Sequence, residues 1–118
     1  MDELEQVRAR MPVATVQNRY NVADRAAEDV LGACERAGIG FIPWFPLATG
    51  DLAGEGSALG AAAADRGVAP GALALAWLLH RSPVMLPIPG TSKVAHLEEN
   101  MKGDEIALTD AELDAIGG

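Results

Sequence analysis

The sequence predicts an α/β fold in which three parallel strands alternate with helices. Three short apolar runs, each about as long as a buried strand, lie at Val13–Gln17, Ile39–Ile42 and Val84–Ile88. The segments between them carry apolar residues at helical spacing or consist mostly of helix-forming residues. Because strands that are separated by helices pair in parallel through right-handed crossovers, we expect the helices to lie on one side of the sheet.

Residues that start or stop helices set the expected boundaries. The predicted helices are Glu3–Arg10, Ala26–Arg36, a segment from the cap Ser57 through Asp65, Gly71–His80, Val94–Met101 and a terminal helix that ends at Ile116. The predicted N-terminal signals are Asp24, Ser57, Pro70 and the capping box formed by Thr109 and Glu112. The predicted stops are Pro12, Gly38 and Gly67.

Composition narrows the class of protein. The chain has 118 residues, 49% of them hydrophobic, which indicates a globular domain. A formal net charge of −8 argues against general affinity for nucleic acid. The single cysteine, Cys34, cannot form an internal disulfide, and no secretory signal is evident, so we expect a cytoplasmic protein. The longest apolar stretch, Ala72–Leu79, is far shorter than the about 20 residues of a membrane span.

The most informative motif is LPIPGTSKVAHLEEN, at Leu86–Asn100. An apolar run stops at Pro89 and Gly90, two hydroxyl residues and a lysine follow, and a helix then begins. A strand that leads through a glycine-containing turn into a helix exposes backbone N–H groups at the positive end of the helix dipole. Such a turn is a suitable binding site for a phosphate group.

This motif, together with QNRYN at Gln17–Asn21 and FIPWFPLATG at Phe41–Gly50, resembles the carboxyl-terminal part of the aldo-keto reductases. The resemblance extends from about Val13 to the end of the chain. It implies a (β/α)8 barrel, an NADPH cofactor and the reduction of aldehydes or ketones to alcohols. The three predicted strands would be strands six to eight of that barrel.

A complete barrel of this kind needs roughly 250 residues, so the resemblance implies that residues 1–118 form a partial domain. The family's proton-donating tyrosine, the lysine that lowers its pKa, the aspartate that pairs with this lysine and the histidine that orients the substrate come from the first four strands and have no counterpart here. The single tyrosine, Tyr20, matches a position that shapes the pocket. We therefore assign no catalytic residue and expect the chain alone to be inactive.

The resemblance assigns the nicotinamide end of the cofactor to residues that follow the first two strands. Gln17 would bind the carboxamide, because its amide both donates and accepts hydrogen bonds, and Trp44 would stack on the ring. Taken without the resemblance, Gln17 closes a strand and Trp44 is a core residue. Phe45 replaces a serine that is common in the family, so backbone N–H groups after it would bind the pyrophosphate. That segment contains Phe45, Pro46, Leu47 and Gly50.

The turn after the third strand would bind the adenosine 2′-phosphate. The residues assigned to it are Thr91, Ser92 and Lys93. The best-known family members carry a lysine in place of Gly90 and an arginine in place of His96, and a histidine is only partly charged near neutral pH. Glu99 and Asn100 match the pair that the family places at the adenine edge. Without the resemblance they are two solvated residues of a helix.

Other polar residues are given structural roles. Trp77, His80 and Cys34 are predicted to pack in the core, and no metal site is expected. Two alternatives to the reductase remain. One is a non-catalytic nucleotide-binding or interaction module built from the same segment, and the other is a self-standing flavodoxin-like domain, which lacks the expected glycine-rich loop. The expected partners are a small carbonyl substrate in the full-length context, the missing part of the barrel, or a second copy of the chain; neither nucleic acid nor a membrane is expected.

Overall fold

A computed structural model describes residues 1–47 and 56–117 of the chain. Two parallel strands form the sheet, β1 (Thr15–Arg19) and β2 (Gly40–Trp44). In their register Gln17 lies opposite Ile42, and Arg19 lies opposite Trp44. Both strands therefore end two residues later than the sequence predicts, and they also begin later, by two residues in β1 and by one in β2.

The third predicted strand, Val84–Ile88, is reduced to one parallel bridge between Met85 and Phe41. Two backbone hydrogen bonds of 2.8 Å form this bridge, from the Phe41 N–H to the Val84 carbonyl and from the Leu86 N–H to the Phe41 carbonyl. The next bond of a parallel ladder would use the N–H of Pro43, and proline has none. Pro43 lies inside β2, where it stops the pairing on that side.

The helices are close to the predicted ones. They are α1 (Asp2–Arg8), α2 (Glu28–Ala37), α3 (Ala58–Arg66), α4 (Pro70–Arg81), α5 (Val94–Met101), a 3-10 helix (Lys102–Glu105) and α6 (Asp110–Gly117). Asp24 was wrongly predicted as the N-cap of α2, since Ala27 occupies that position. The Asp24 carboxylate instead pairs with Arg19, at 3.0 Å, and accepts from the Ala26 N–H.

The core lies between the sheet and the helices. Tyr20 is fully buried between two rings, stacked on Trp77 at 6.2 Å and edge-on to Phe41 at 5.7 Å. Cys34 and Trp77 are buried as predicted. His80 is exposed rather than packed, and one of its ring nitrogens lies 3.1 Å from the Ile106 carbonyl oxygen. No helix among the described residues has the length and apolar character that a membrane crossing requires.

On the opposite face of the sheet no helix packs within residues 1–47 and 56–117, and this face is called the free face below. Side chains alternate along the strands, so Gln17, Arg19 and Trp44 lie on this face while Phe41 points into the core. Apolar side chains are exposed here, as expected for the face that would line a barrel. Trp44, Leu86 and Ile88 retain 43%, 50% and 49% of their accessible surface.

Candidate functional site

The first part of the site is the carboxyl end of the free face. Gln17 is exposed in β1, and Trp44 ends β2 on the same side of the sheet. Sequence reasoning placed Gln17 at the end of its strand, but β1 continues through Asn18 and Arg19. The strand ends later because its backbone pairing with β2 extends to the Tyr20 N–H, which donates to the Trp44 carbonyl. The structure nevertheless leaves the two predicted cofactor residues on one exposed surface.

Arg19 contacts Trp44 and also Phe45, in the turn that follows β2. The sequence analysis assigned Arg19 no role. Its guanidinium carbon lies 5.2 Å from the centre of the Phe45 ring and 6.0 Å from the centre of the Trp44 ring. Its Nε pairs with Asp24 Oδ2 at 3.0 Å. The signal was present in the sequence, because residues two apart in a strand share a face. It was missed because the predicted strand stopped at Gln17.

The turn after β2 holds an unusual backbone conformation. Phe45 has φ of 62°, the one positive φ outside glycine among the described residues. This left-handed region is unfavourable for a bulky residue. Asn21 supports it from the neighbouring turn, since its Nδ2 donates to the Phe45 carbonyl at 3.1 Å. The amide of Asn21 is 1% exposed, and its Oδ1 accepts from the Ala23 and Asp24 N–H groups, each at 2.9 Å.

The remaining predicted residues of this turn have different environments. Pro46 is buried, whereas Phe45 and Leu47 are half-buried. A Cβ atom placed on Gly71 would lie 3.9 Å from both Leu47 methyl carbons and 3.9 Å from Asn100 Oδ1. Leu47 thus reaches the start of α4 and the end of α5. Gly50 lies outside the described residues.

The second part of the site is the start of α5. The Lys93 N–H donates to Thr91 Oγ1 at 3.1 Å, which turns the chain into the helix. Thr91, Ser92 and Lys93 are all exposed. No side chain caps the N-terminus of α5, and its first turn contains no acidic residue. The N–H groups of that turn therefore offer hydrogen-bond donors to an anion without a competing carboxylate.

The three predicted residues inside α5 do not share one environment. His96 and Glu99 are exposed, while Asn100 is half-buried toward Gly71. Glu99 instead borders a cleft of 360 Å³ between the α3–α4 connection and the 3-10 helix. Its lining includes the apolar residues Val68, Ala72 and Ile106 and the charged residues Glu99, Lys102 and Glu105. Glu99 and Asn100 are therefore adjacent in sequence but contact different surroundings.

Tyr20 does not line the free face. The resemblance implied that it shapes a pocket, but its ring is 0% exposed and its hydroxyl donates to Glu28 Oε2 at 2.5 Å. Glu28 also forms an ion pair with Arg81. Burial raises the pKa of Tyr20 above its ordinary value of 10.0, and the nearby charge of Arg81 opposes that rise. The described residues contain no group of three or more His, Cys, Asp or Glu side chains that could bind a metal ion.

The sequence matches the model of the aldo/keto reductase family over residues 1–118. An uncharacterised oxidoreductase of Schizosaccharomyces pombe is 49% identical in an alignment of 120 positions that covers 99% of this chain and 39% of that protein. Pyridoxine 4-dehydrogenase of Escherichia coli is 41% identical over 116 residues, which are 98% of this chain and 40% of that protein. The chain thus spans about two fifths of the length of these curated relatives.

Solved structures show the same relationship. A thermostable aldo-keto reductase in complex with the inhibitor epalrestat matches with a TM-score of 0.84 and 30% identity, over 98% of this chain and 43% of that one. An aldo/keto reductase of Klebsiella pneumoniae in complex with NADP and acetate matches with a TM-score of 0.79 and 31% identity, over 87% of this chain and 38% of that one. These matches confirm the predicted fold class, part of a (β/α)8 barrel.

Proposed function

Because the chain belongs to the aldo/keto reductase family, we propose that it is the cofactor-binding part of an NADPH-dependent reductase that converts aldehydes or ketones to alcohols. One observation carries the proposal: Gln17 and Trp44 lie on the same exposed face, at the end of the sheet where barrel enzymes bind their ligands. The bound cofactor supplies the hydride, and the residues of this chain bind and orient it.

At the nicotinamide end, each residue has a role that suits its environment. The exposed Gln17 amide hydrogen-bonds the carboxamide, and the Trp44 ring covers one face of the nicotinamide. Backbone N–H groups in the segment from Phe45 through Leu47 to Gly50 bind the pyrophosphate. Pro46 lies in that segment but donates no N–H.

At the other end, the uncapped start of α5 binds the 2′-phosphate. Thr91 and Ser92 donate hydroxyl hydrogen bonds, and Lys93 supplies the full positive charge. His96 lies one turn further along the helix and offers a ring nitrogen to the same phosphate. Asn100, and Glu99 from the border of its cleft, contact the adenine. The NADP-bound structure from Klebsiella pneumoniae supports this choice of cofactor.

The free face also implies a partner. Trp44, Leu86 and Ile88 expose apolar surface, and no strand pairs with the outer edge of β1 among the described residues. An uncovered parallel strand edge favours pairing with further strands. The remaining barrel strands, or a second copy of the chain, would cover this surface.

A binding titration of the purified chain with NADPH tests the proposal, with two neighbouring substitutions on opposite faces of β1. Gln17→Leu removes the hydrogen bonds to the carboxamide and is expected to weaken NADPH binding about two- to tenfold. Asn18→Leu, which changes a side chain on the helix-facing side, serves as the matched control. Equal weakening by both substitutions, or no NADPH binding by the unsubstituted chain, would refute the proposal.

A further inference from the structure

Arg19 contacts both aromatic rings at the nicotinamide end. It lies opposite Trp44 in the register of β1 and β2, so both side chains project from the free face. Its guanidinium carbon is 6.0 Å from the Trp44 ring centre and 5.2 Å from the Phe45 ring centre. These separations are within reach of a cation–π interaction, and the planar guanidinium suits stacking better than an ammonium group.

The guanidinium of Arg19 also forms an ion pair with Asp24. Arg19 Nε and Asp24 Oδ2 are 3.0 Å apart. The backbone of Asp24 is fixed in turn by Asn21, through a 3.0 Å bond from the Asn21 N–H to the Asp24 carbonyl and a 3.1 Å bond in the reverse direction. A series of contacts thus runs from the buried Asn21 through Asp24 and Arg19 to the exposed Trp44 ring.

Trp44 needs such support because it is 43% exposed. Phe45 is its ring neighbour, at 6.5 Å and an angle of 61°, and Phe45 is itself the second ring that Arg19 contacts. A half-exposed ring loses rotamer freedom when a ligand stacks on it, which reduces the affinity that the contact provides. A ring that is already held in place avoids part of that loss.

We propose that Arg19 is a positioning residue, which holds the Trp44 ring in the orientation that receives the nicotinamide. Arg19 acts through the ring and does not touch the cofactor. The inference rests on the proposed function, since it takes Trp44 as the nicotinamide-stacking residue. It adds a residue whose role is to discriminate ligands that carry a nicotinamide from those that do not.

The test compares two ligands that differ in the nicotinamide alone: NADPH and 2′-phosphoadenosine 5′-diphosphoribose. Arg19→Met replaces the aliphatic part of the side chain but removes the charge and the planar group, and Arg19→Lys keeps the charge. We expect Arg19→Met to weaken the binding of NADPH about two- to fivefold, while the affinity for the second ligand stays unchanged. The NADPH affinity of the Arg19→Lys variant should lie between those of the Arg19→Met variant and the unsubstituted chain. Arg10→Met, in the exposed turn after α1, is the matched control.

A second measurement does not depend on the cofactor. Acrylamide quenching reports the exposure and mobility of Trp44, because the other tryptophan, Trp77, is 1% exposed; a Trp44→Phe variant gives the background. Arg19→Met should increase quenching. Equal weakening of both ligands would identify Arg19 as a general anion contact and overturn the inference. An unchanged affinity for both ligands would overturn it as well. If the unsubstituted chain binds neither ligand, the proposed function fails, and unchanged quenching would show separately that Arg19 does not hold the ring.

Discussion

The Asn21 side chain donates a hydrogen bond from Nδ2 to the backbone carbonyl of Phe45 at 3.1 Å, although 24 positions separate the two residues. The same amide accepts hydrogen bonds from two N–H groups of its own turn, those of Ala23 and Asp24. One buried side chain therefore joins the turns that follow β1 and β2. Both turns carry residues of the proposed nicotinamide site, so their relative position depends on this contact.

Replacing Asn21 with alanine should lower the free energy of unfolding by about 1–3 kcal/mol. The substitution removes three hydrogen bonds and leaves their backbone partners without the amide, and the cost of unsatisfied buried groups is of this size. Urea unfolding at constant pH measures the effect. Asn18→Ala, in the adjacent strand, is the control, and an equal loss in both variants would show that the contact with Phe45 adds no stability.

Local signals predicted the helix ends well. Gly38 and Gly67 occupy left-handed positions with φ of 64° and 65°, which glycine adopts at little cost. Ser57 accepts from the Gly60 N–H at 2.9 Å, as an N-cap should. These features depend on residues within one helical turn of each other, so the sequence contains the whole interaction.

The strand ends and the support of the site depend on distant residues and were predicted less well. The third strand stops at one bridge because Pro43, some 40 positions before it, lacks the N–H that the next bond requires. Strand alternation could have placed Arg19 on the face of Gln17, had the predicted strand not stopped there. The contacts of Arg19 and Asn21 could not be predicted in this way, because their partners, Trp44 and Phe45, belong to another strand and its turn.

Gly103 should not tolerate a side chain. A Cβ atom at this position would lie 2.9 Å from the Ala72 carbonyl oxygen and 3.0 Å from the Leu75 Cβ, where the 3-10 helix packs on α4. We expect Gly103→Ala to destabilise the chain by about 1–3 kcal/mol through overpacking. Gly90→Ala is the control, because a Cβ there meets nothing within 4 Å. Equal thermal or urea midpoints for the two variants would show that α4 and the 3-10 helix separate at little cost.

Glu112 should make the stability depend on pH in the acid range. Hydrogen bonds from the Thr109 N–H, from Arg66 and from the Thr109 hydroxyl lower the pKa of Glu112 from 4.5 to about 2. Because the pKa of the folded state is depressed, this stabilisation is complete above 4.5 and is lost as the pH falls toward 2.

Urea midpoints across this pH range measure that dependence. The difference between the unsubstituted chain and Glu112→Gln should be largest near neutral pH and should shrink on acidification. Glu98→Gln, on the exposed surface of α5, removes the same charge without a capping box and is the control. A difference that stays constant with pH would contradict the role of the Glu112 carboxylate.

The chain alone should not reduce carbonyl compounds. Hydride transfer to a carbonyl requires a proton donor, which is typically worth about 10²–10⁴-fold in rate. The sole tyrosine, Tyr20, is buried, and its hydroxyl is bonded to Glu28. An NADPH-consumption assay with a reactive aldehyde decides this. Steady turnover that survives removal of host reductases and disappears in Tyr20→Phe would prove the prediction wrong.

Lys93 should discriminate NADPH from NADH, because these cofactors differ only in the 2′-phosphate. Lys93 carries the full positive charge beside the uncapped start of α5, and a charge-assisted hydrogen bond contributes about 1.5–3 kcal/mol. Lys93→Ala should therefore weaken the binding of NADPH about ten- to a hundredfold more than the binding of NADH. Binding titrations with both cofactors measure the effect, and Arg10→Ala, in the exposed turn after α1, is the control. If the binding of NADH weakens as much as that of NADPH, Lys93 stabilises the turn instead. The discrimination between the two cofactors must then come from His96 or from residues outside this chain.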